Sequence, residues 1–120
     1  MAMLGTAVAK AEEIGQPQVI VIVDAGGDVL GEIRMTGAKF LSRRSALSNV
    51  LTAASNGAPS SAVPEAVRPA IAAATDGAVT GLAGGLPIIV EGHTIGAIGV
   101  GSGAPDHDLA VGEAALSVLD

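Results

Sequence analysis

The sequence of 120 residues predicts one α/β domain over residues 1–120, with helices on an antiparallel β-sheet. Short apolar runs are separated by tight glycine turns, and strands joined in this way must run antiparallel. Segments with apolar residues at helical spacing stand at both ends of the chain and between the strand pairs. No sequence repeat or linker divides the chain, which has the length of an ordinary domain.

The individual elements follow from periodicity and turn residues. The first helix stops at Gly15-Gln16-Pro17, and the β-branched run after it is typical of a strand covered on both faces. Gly26-Gly27 and Gly92-His93 predict the turns of two hairpins. In chain order we predict a helix at 2–14, strands at 18–24 and 29–35, a helix at 38–56, a helix at 64–76 interrupted by Pro69, strands at 78–82, 86–91 and 94–101, and a helix at 106–119.

The long helix has two distinct faces. Its apolar stripe, which we expect to face the core, consists of Phe40, Leu47, Leu51 and Ala54. A second face is polar but uncharged, and consists of Ser42, Ser45, Asn49, Thr52 and Asn56. The simpler interpretation of that face is contact with solvent. Solvated faces normally use Lys and Glu, however, so a pocket or a subunit contact stays open as the alternative.

Composition excludes several classes of function. The net charge of −6 argues against nucleic acid and anionic membranes as partners. The absence of cysteine excludes disulfides and thiolate metal sites, and it favours a cytoplasmic protein. The amino terminus does not have the pattern of a signal peptide, and the longest strongly apolar run, 19–23, is too short to span a bilayer. Hydrophobic residues at 49% and small-residue strands predict a homo-oligomer, at least a dimer.

A glycine-rich bend follows the last strand. Gly96 and Gly99 leave room for close approach of another backbone or a ligand, and Gly101 opens the bend itself. Pro105 is placed at the first position of the last helix, and Asp108 lies in its first turn. Free backbone amides at such a helix start are a frequent ligand site. The bend is therefore the first candidate for a functional site.

Four side chains can carry chemistry. The positive helix end favours the neutral form of His107, beside the bend, and this form can coordinate a metal or accept a proton; an exposed residue of the helix start is the alternative interpretation. His93 stands at a predicted hairpin tip, where solvent exposure is the simpler interpretation. Arg34 ends the second strand and can hold a carboxylate with two hydrogen bonds, or pair with a surface acid. Asp108 is interpreted first as a structural residue of the helix start.

Four segments follow one another along the chain in a specific order. They are Val23-Asp24-Ala25-Gly26-Gly27, Arg34-Met35-Thr36-Gly37-Ala38, Gly84-Gly85-Leu86-Pro87, and Ile95-Gly96-Ala97-Ile98-Gly99-Val100 followed by Asp108. Together they resemble the GlcG/HbpS-like family, also called the haem-degrading-domain family, which includes the carboxy-terminal domain of PduO. The resemblance spans nearly the whole chain. It implies a profilin-like three-layer fold with about five antiparallel strands, and assembly into dimers and often octamers.

The resemblance implies two classes of function. The first is a small-molecule-binding protein for haem, a corrinoid or a related tetrapyrrole, with His107 or His93 as the iron ligand. Its ligand-binding residues would be Arg34, Met35, Gly99, Gly101, His107 and Asp108. The alternative is a lyase or isomerase of a carboxylated aromatic compound, with Arg34 holding the carboxylate and His107 as acid and base.

Three positions depart from the family pattern. Asn49-Val50 replaces a common Lys-Ala pair, which weakens any function that needs a basic group in that helix. Gly101-Ser102 stands where Ser-Gly is frequent, and His107 replaces a common Gln. The histidine can supply a ligand or a base that other members lack. Whether the chain is an enzyme stays open at this point.

Overall fold

The computed structural model describes residues 2–119, and four strands form its sheet. The strands are β1 (Val19–Asp24), β2 (Val29–Arg34), β3 (Gly85–Val90) and β4 (His93–Gly101). The helices are α1 (Ala2–Ile14), α2 (Ser42–Asn56), α3 (Arg68–Ala74) and α4 (Pro105–Leu116). Short 3₁₀ turns occupy Ser60–Ala62, Glu65–Val67 and Ser117–Leu119.

The sheet is antiparallel throughout, in the order β2-β1-β4-β3. The two hairpins therefore lie side by side, with β1 and β4 in the centre. Val19 is paired with Arg34 of β2 on one side and with Gly101 of β4 on the other. One end of the sheet thus carries the end of β2, the start of β1 and the glycine bend.

Helices cover both faces of the sheet, which makes three layers. Alternate β1 residues point in opposite directions, so that Val19, Val21 and Val23 meet α2. Ile20 and Ile22 belong to the other core, which α1 and α4 close. This arrangement confirms the predicted mixed α/β class with an antiparallel sheet and flanking helices. It also confirms β1 as a strand buried on both faces.

The prediction of about five strands is wrong, because residues 78–82 form no strand. Side chains hold the backbone of this segment instead. The Val79 amide donates to Thr75 Oγ1 at 3.0 Å, and the Thr80 amide donates to Thr52 Oγ1 at 3.0 Å. Ser60 Oγ donates to the Leu82 carbonyl at 2.6 Å. Since these groups already have partners, no strand edge is needed to satisfy them.

Both hairpins are confirmed, with one turn displaced by a residue. The first turn is closed by Asp24, whose Oδ1 accepts hydrogen bonds from the Gly26 and Asp28 amides. The second turn consists of Glu91 and Gly92, both with positive φ (51° and 79°), rather than Gly92-His93. His93 is consequently the first residue of β4, opposite Val90.

Helix α2 buries a different face from the one predicted, although Leu51 and Ala54 of the predicted stripe are partly buried and pack against the core. It begins at Ser42 rather than 38, and Phe40 is 72% exposed. The buried face consists of Ser42, Ala46, Asn49, Val50, Thr52 and Ala53. A Cβ built on Gly99 would lie only 2.7 Å from Val50 Cβ and 2.9 Å from its backbone nitrogen. Because helix and strand approach so closely, small and short polar residues must form the contact.

Candidate functional site

The bend after β4 is strained and firmly held. Ser102 has φ of +90°, a backbone conformation that costs a non-glycine residue roughly 1–3 kcal/mol. The Lys39 amide donates to Ser102 Oγ at 3.1 Å, and Gln16 Nε2 donates to the Ser102 carbonyl at 3.1 Å. Contacts from before α2 and from the end of α1 therefore fix the bend. Strain of this kind is concentrated at functional sites.

Asp108 lies buried beneath the bend, with 6% of its surface exposed. The Gly103 amide donates to its Oδ1 at 3.1 Å, which agrees with the structural interpretation of this residue. Burial nevertheless raises the pKa of Asp108 to about 6, while the Gly103 hydrogen bond lowers it. Gln18 lies close enough to lower this pKa as well, although its Nε2 does not reach hydrogen-bond geometry.

Three buried side chains near the bend have polar atoms without a partner among residues 2–119. Gln18 is fully buried, and neither of its amide atoms is paired. Asn49 Nδ2 donates to the Ala83 carbonyl at 3.2 Å and to the Val100 carbonyl at 3.1 Å. Asn49 Oδ1 must then point away from both, and it has no partner. His107 Nδ1 is likewise buried and unpaired.

A small opening, which we call the polar cleft, lies between α2, the bend after β4 and the start of α4. Its volume is about 180 Å³, and it is lined by Ser45, Asn49, Leu82, Ala83, Gly101, Ser102, Gly103, Pro105 and Asp108. Chemically, it offers hydrogen-bond acceptors and a carboxyl group that titrates close to neutral pH. A buried carboxyl of that kind in a cleft is typical of acid–base and binding sites.

Protonation of Asp108 is expected to stabilise the fold. Its pKa in the folded chain lies above the usual 3.8, so the folded state binds the proton more tightly than the unfolded state. Through this group the free energy of unfolding should rise by about 1–2 kcal/mol as pH falls from 7 to 4. Urea unfolding of the parent and of Asp108→Asn across this range measures the difference. Identical pH profiles for the two proteins would contradict the assignment.

A second and larger opening, the apolar groove, lies at the other end of α2. Its volume is about 840 Å³, within the range of small-molecule pockets. It is lined by Ser55, Asn56, Ala58, Pro59, Ala62, Val63, Pro64, Val67, Ala70, Ile71, Ala74, Thr75 and Val79. None of these lining residues is ionisable. The groove suits a flat apolar ligand better than a charged one.

The structure does not gather the predicted site residues into one pocket. Gly101 and Asp108 line the polar cleft, and His107 adjoins it. Arg34 donates from Nη1 to the Ala38 carbonyl at 3.1 Å, and it lines a different concavity together with Glu32 and Arg43. Arg34 and His107, which the lyase alternative would place on one substrate, therefore do not share a concavity within a single described chain.

The other predicted residues lie apart from both openings. Gly99 is covered by α2, so its small size serves helix packing. Met35 packs against the core beneath α1 and α4. His93 is exposed at the start of β4. Across residues 2–119, no group of three or more His, Asp and Glu side chains is placed to hold a metal ion.

Sequence reasoning missed Asn49 and Gln18. The signal for Asn49 was the uncharged polar face of α2, for which the pocket interpretation was the less favoured alternative. The structure supports that alternative, because Asn49 and Thr52 are buried and Ser45 lines the cleft. Gln18 carried no signal of its own, since a polar residue at the start of a strand is usually exposed.

In the described part of the chain, no helix has the length and apolarity to cross a membrane.

A three-layer α/β domain with a polar cleft and a larger apolar groove is the class of protein that these features define. A profile of the family described as "Haem degrading protein HbpS-like" matches residues 1–117. The chain belongs to this HbpS-like family. The resemblance drawn from its sequence motifs is thereby confirmed.

Two proteins of Citrobacter freundii are similar in sequence. An uncharacterized 15.0 kDa protein from the dhaT-dhaS intergenic region is 34% identical over 113 residues, which cover 90% of this chain and 80% of that protein. The corrinoid adenosyltransferase PduO is 30% identical over 119 residues, or 95% of this chain. The match covers only 36% of PduO, so the activity of the whole enzyme does not transfer with it.

Solved structures share the fold over almost the entire chain. The Klebsiella pneumoniae protein ORFY has a TM-score of 0.91 at 29% identity, covering 97% of this chain and 83% of its own. The PduOC haem complex has a TM-score of 0.90 at 25% identity, covering 97% and 88%. A double mutant of Streptomyces reticuli HbpS has a TM-score of 0.87 at 31% identity, covering 99% and 82%.

Proposed function

We propose that this chain binds haem or a related tetrapyrrole, such as a corrinoid, in the apolar groove. The observation that carries the proposal is the likeness to the PduOC haem complex across 97% of the chain. The 840 Å³ groove supports it, because its lining is dominated by Ala, Val, Pro and Ile. Such side chains gain free energy when they exclude water from the face of a porphyrin.

The groove fits the ring better than it fits the metal. Ser55 and Asn56 can donate hydrogen bonds to carboxylates at the edge of a tetrapyrrole. The lining contains no His or Met, which are common axial ligands of haem iron. An iron ligand would therefore come from outside the groove, or from a second copy of the chain.

His93 is the better candidate for that ligand. A Cβ built on Gly57 would lie 3.0 Å from Thr94 Oγ1, so the start of β4 contacts the chain next to Ala58 of the groove. His107 stands beyond the opposite end of β4, near the polar cleft. The sequence interpretation favoured His107, whereas the nearness of the His93 backbone to the groove favours His93.

A charge placed in the groove should weaken haem binding. Glutamate at Ala70, a groove residue of α3, would require burial of a carboxylate against the ring. We expect affinity to fall at least tenfold in Ala70→Glu, measured by the Soret band during haem titration. Ala73→Glu is the matched control, since Ala73 is exposed on the same helix and does not line the groove.

These titrations test three points, which are the position of the groove, the identity of the iron ligand and the alternative function. Equal affinities of the two glutamate variants would contradict the groove. The same titration with His93→Ala and His107→Ala identifies the ligand, because only loss of a ligand should shift the Soret maximum. The alternative is a lyase or isomerase of a carboxylated substrate, and the buried Asp108 carboxyl is the observation that favours it. A protein that does not bind haem would leave that alternative standing.

We further propose that the chain assembles through an exposed apolar patch beside β2. The patch consists of Val29, Phe40, Leu41 and Leu47. It holds the single aromatic residue of the sequence and borders Arg43 and Arg44. A second copy fits this patch, because it brings apolar surface to cover and a net charge of −6 to offset Arg44, while Arg43 is already paired with Glu32 at 2.8 Å.

Assembly can be measured directly by light scattering. We expect the parent protein at micromolar concentration to have the mass of a dimer or a larger symmetric oligomer, up to an octamer. Phe40→Asp should reduce that mass, because it buries a charge in the contact. Val118→Asp, which alters an exposed apolar residue outside the patch, is the control. A parent mass near 11.6 kDa would refute the proposal.

A further inference from the structure

We infer that the polar cleft binds a small primary amine in its ammonium form, held by the Asp108 carboxylate and the Asn49 amide oxygen. This inference is independent of tetrapyrrole binding, because the cleft and the apolar groove share no lining residue. The ligand class follows from which hydrogen-bonding atoms of the cleft are already paired.

The side-chain donors of Asn49 and Ser45 and the Gly103 amide are committed to the protein, and only the Ser102 hydroxyl, which accepts from the Lys39 amide, keeps its proton for another partner within the described lining. Asn49, which is 2% exposed, uses Nδ2 for the carbonyls of Ala83 and Val100. The Ser45 hydroxyl donates to the Ser42 carbonyl at 3.1 Å. The Gly103 amide donates to Asp108. A ligand that needs donors from these groups would have to displace existing hydrogen bonds.

The acceptors, by contrast, remain available. Asn49 Oδ1 is buried without a partner within residues 2–119, and both of its lone pairs are free. The Ser45 oxygen retains acceptor capacity after its donation. Asp108 adds a carboxylate with at least one oxygen beyond the Gly103 contact. An ammonium group matches this set, since it has three donors, no acceptor and a positive charge.

The charge and the volume of the polar cleft also favour a small ammonium ion. The start of α4 would ordinarily favour an anion, but Asp106 and Asp108 already place two carboxylates in its first turn. No Lys or Arg lines the cleft. The volume of about 180 Å³ admits only a few non-hydrogen atoms, and Leu82, Ala83 and Pro105 supply an apolar wall for a short alkyl chain. Ethylammonium is a suitable probe.

The experiment is a titration of the full chain with ethylammonium chloride at pH 8, followed by amide NMR. We expect saturable shifts of the Gly103 amide and of the Asn49 side-chain amide. Tetramethylammonium chloride at equal ionic strength should not reproduce them, because it carries the charge without any N–H donor. Asp108→Asn should bind ethylammonium at least tenfold more weakly.

Asp106→Asn is the matched control. It removes the same charge from the same helical turn, but Asp106 is exposed and does not line the cleft. Its affinity should stay within twofold of the parent. If Asp108→Asn fails to fold, Ser45→Ala replaces it, with a loss of several-fold expected.

Three results would overturn the inference. They are equal affinity of the parent and the cleft variant, equal shifts with tetramethylammonium, and no saturable shift because the cleft holds water only. Haem titration of the same samples distinguishes amine binding in the polar cleft from haem binding in the apolar groove. A variant that no longer binds the amine should still give the Soret change of the parent.

Discussion

Replacing Gly99 with valine is expected to lower the free energy of unfolding by about 3 kcal/mol, at the upper end of the usual cost of overpacking. A Cβ at this position would clash with the Ala46 carbonyl oxygen and lie 2.7 Å from Val50 Cβ. Because these obstacles belong to the backbone and the first side-chain atom of α2, rotation of a side chain cannot relieve them. Urea unfolding measures the loss.

Gly5→Ala provides the comparison. Gly5 lies within α1, and a Cβ there would meet nothing within 4 Å. Alanine is the better helix former, so this variant should gain roughly 0.5 kcal/mol. A Gly99→Val protein as stable in urea as its parent would disprove the close approach of α2 to β4.

Truncation of Asn49 to alanine should be comparably damaging, with a loss of roughly 3 kcal/mol. The change leaves the carbonyls of Ala83 and Val100 without the donor that now joins them, and each unsatisfied buried group costs about 1–3 kcal/mol. It also leaves a void between α2 and the bend. Chemical denaturation with an unchanged m-value would establish the loss.

Asn56→Ala tests whether the loss of stability in Asn49→Ala depends on the buried position of Asn49. Asn56 ends the same helix but is exposed, so its truncation should change stability by about 0.5 kcal/mol or less. If both variants lose the same amount, the hydrogen bonds of Asn49 are not what stabilises this end of the sheet.

Local signals predicted the strands and hairpins well. The run from Val19 to Val23 and the Gly26-Gly27 turn are short-range features, and the structure retains them. The strand predicted at 78–82 does not form, and the reason is non-local. Thr52 and Ser60, far away in the sequence, take up the backbone groups of that segment. Periodicity contains no information about such partners.

The face of α2 shows a different limit. Apolar spacing selected Phe40 and Leu47, yet both are exposed. Gly99 and Gly101 of β4 determine the outcome, because the absence of side chains at these two positions lets the helix lie close to the strand and excludes large residues from the contact. A pattern within one helix cannot reveal the shape of the surface opposite it.

The site was predictable only in part. Asp108 and Gly101 were found from the bend itself, where helix-start chemistry is local. Asn49 reaches the cleft from another layer of the fold, and Arg34 lies in a separate concavity at the same sheet end. Which side chains share a pocket depends on how the layers are assembled.

The pairing of β1 with β4 has a consequence for how the chain folds. These two central strands come from opposite ends of the sequence, with Val19 beside Gly101. Each hairpin can close early because its contacts are local. The sheet is completed only when the two hairpins meet, and the entropy of that long loop closure opposes the encounter. Late formation of the β1–β4 ladder also means that the polar cleft, which depends on the end of β4, is among the last features to appear.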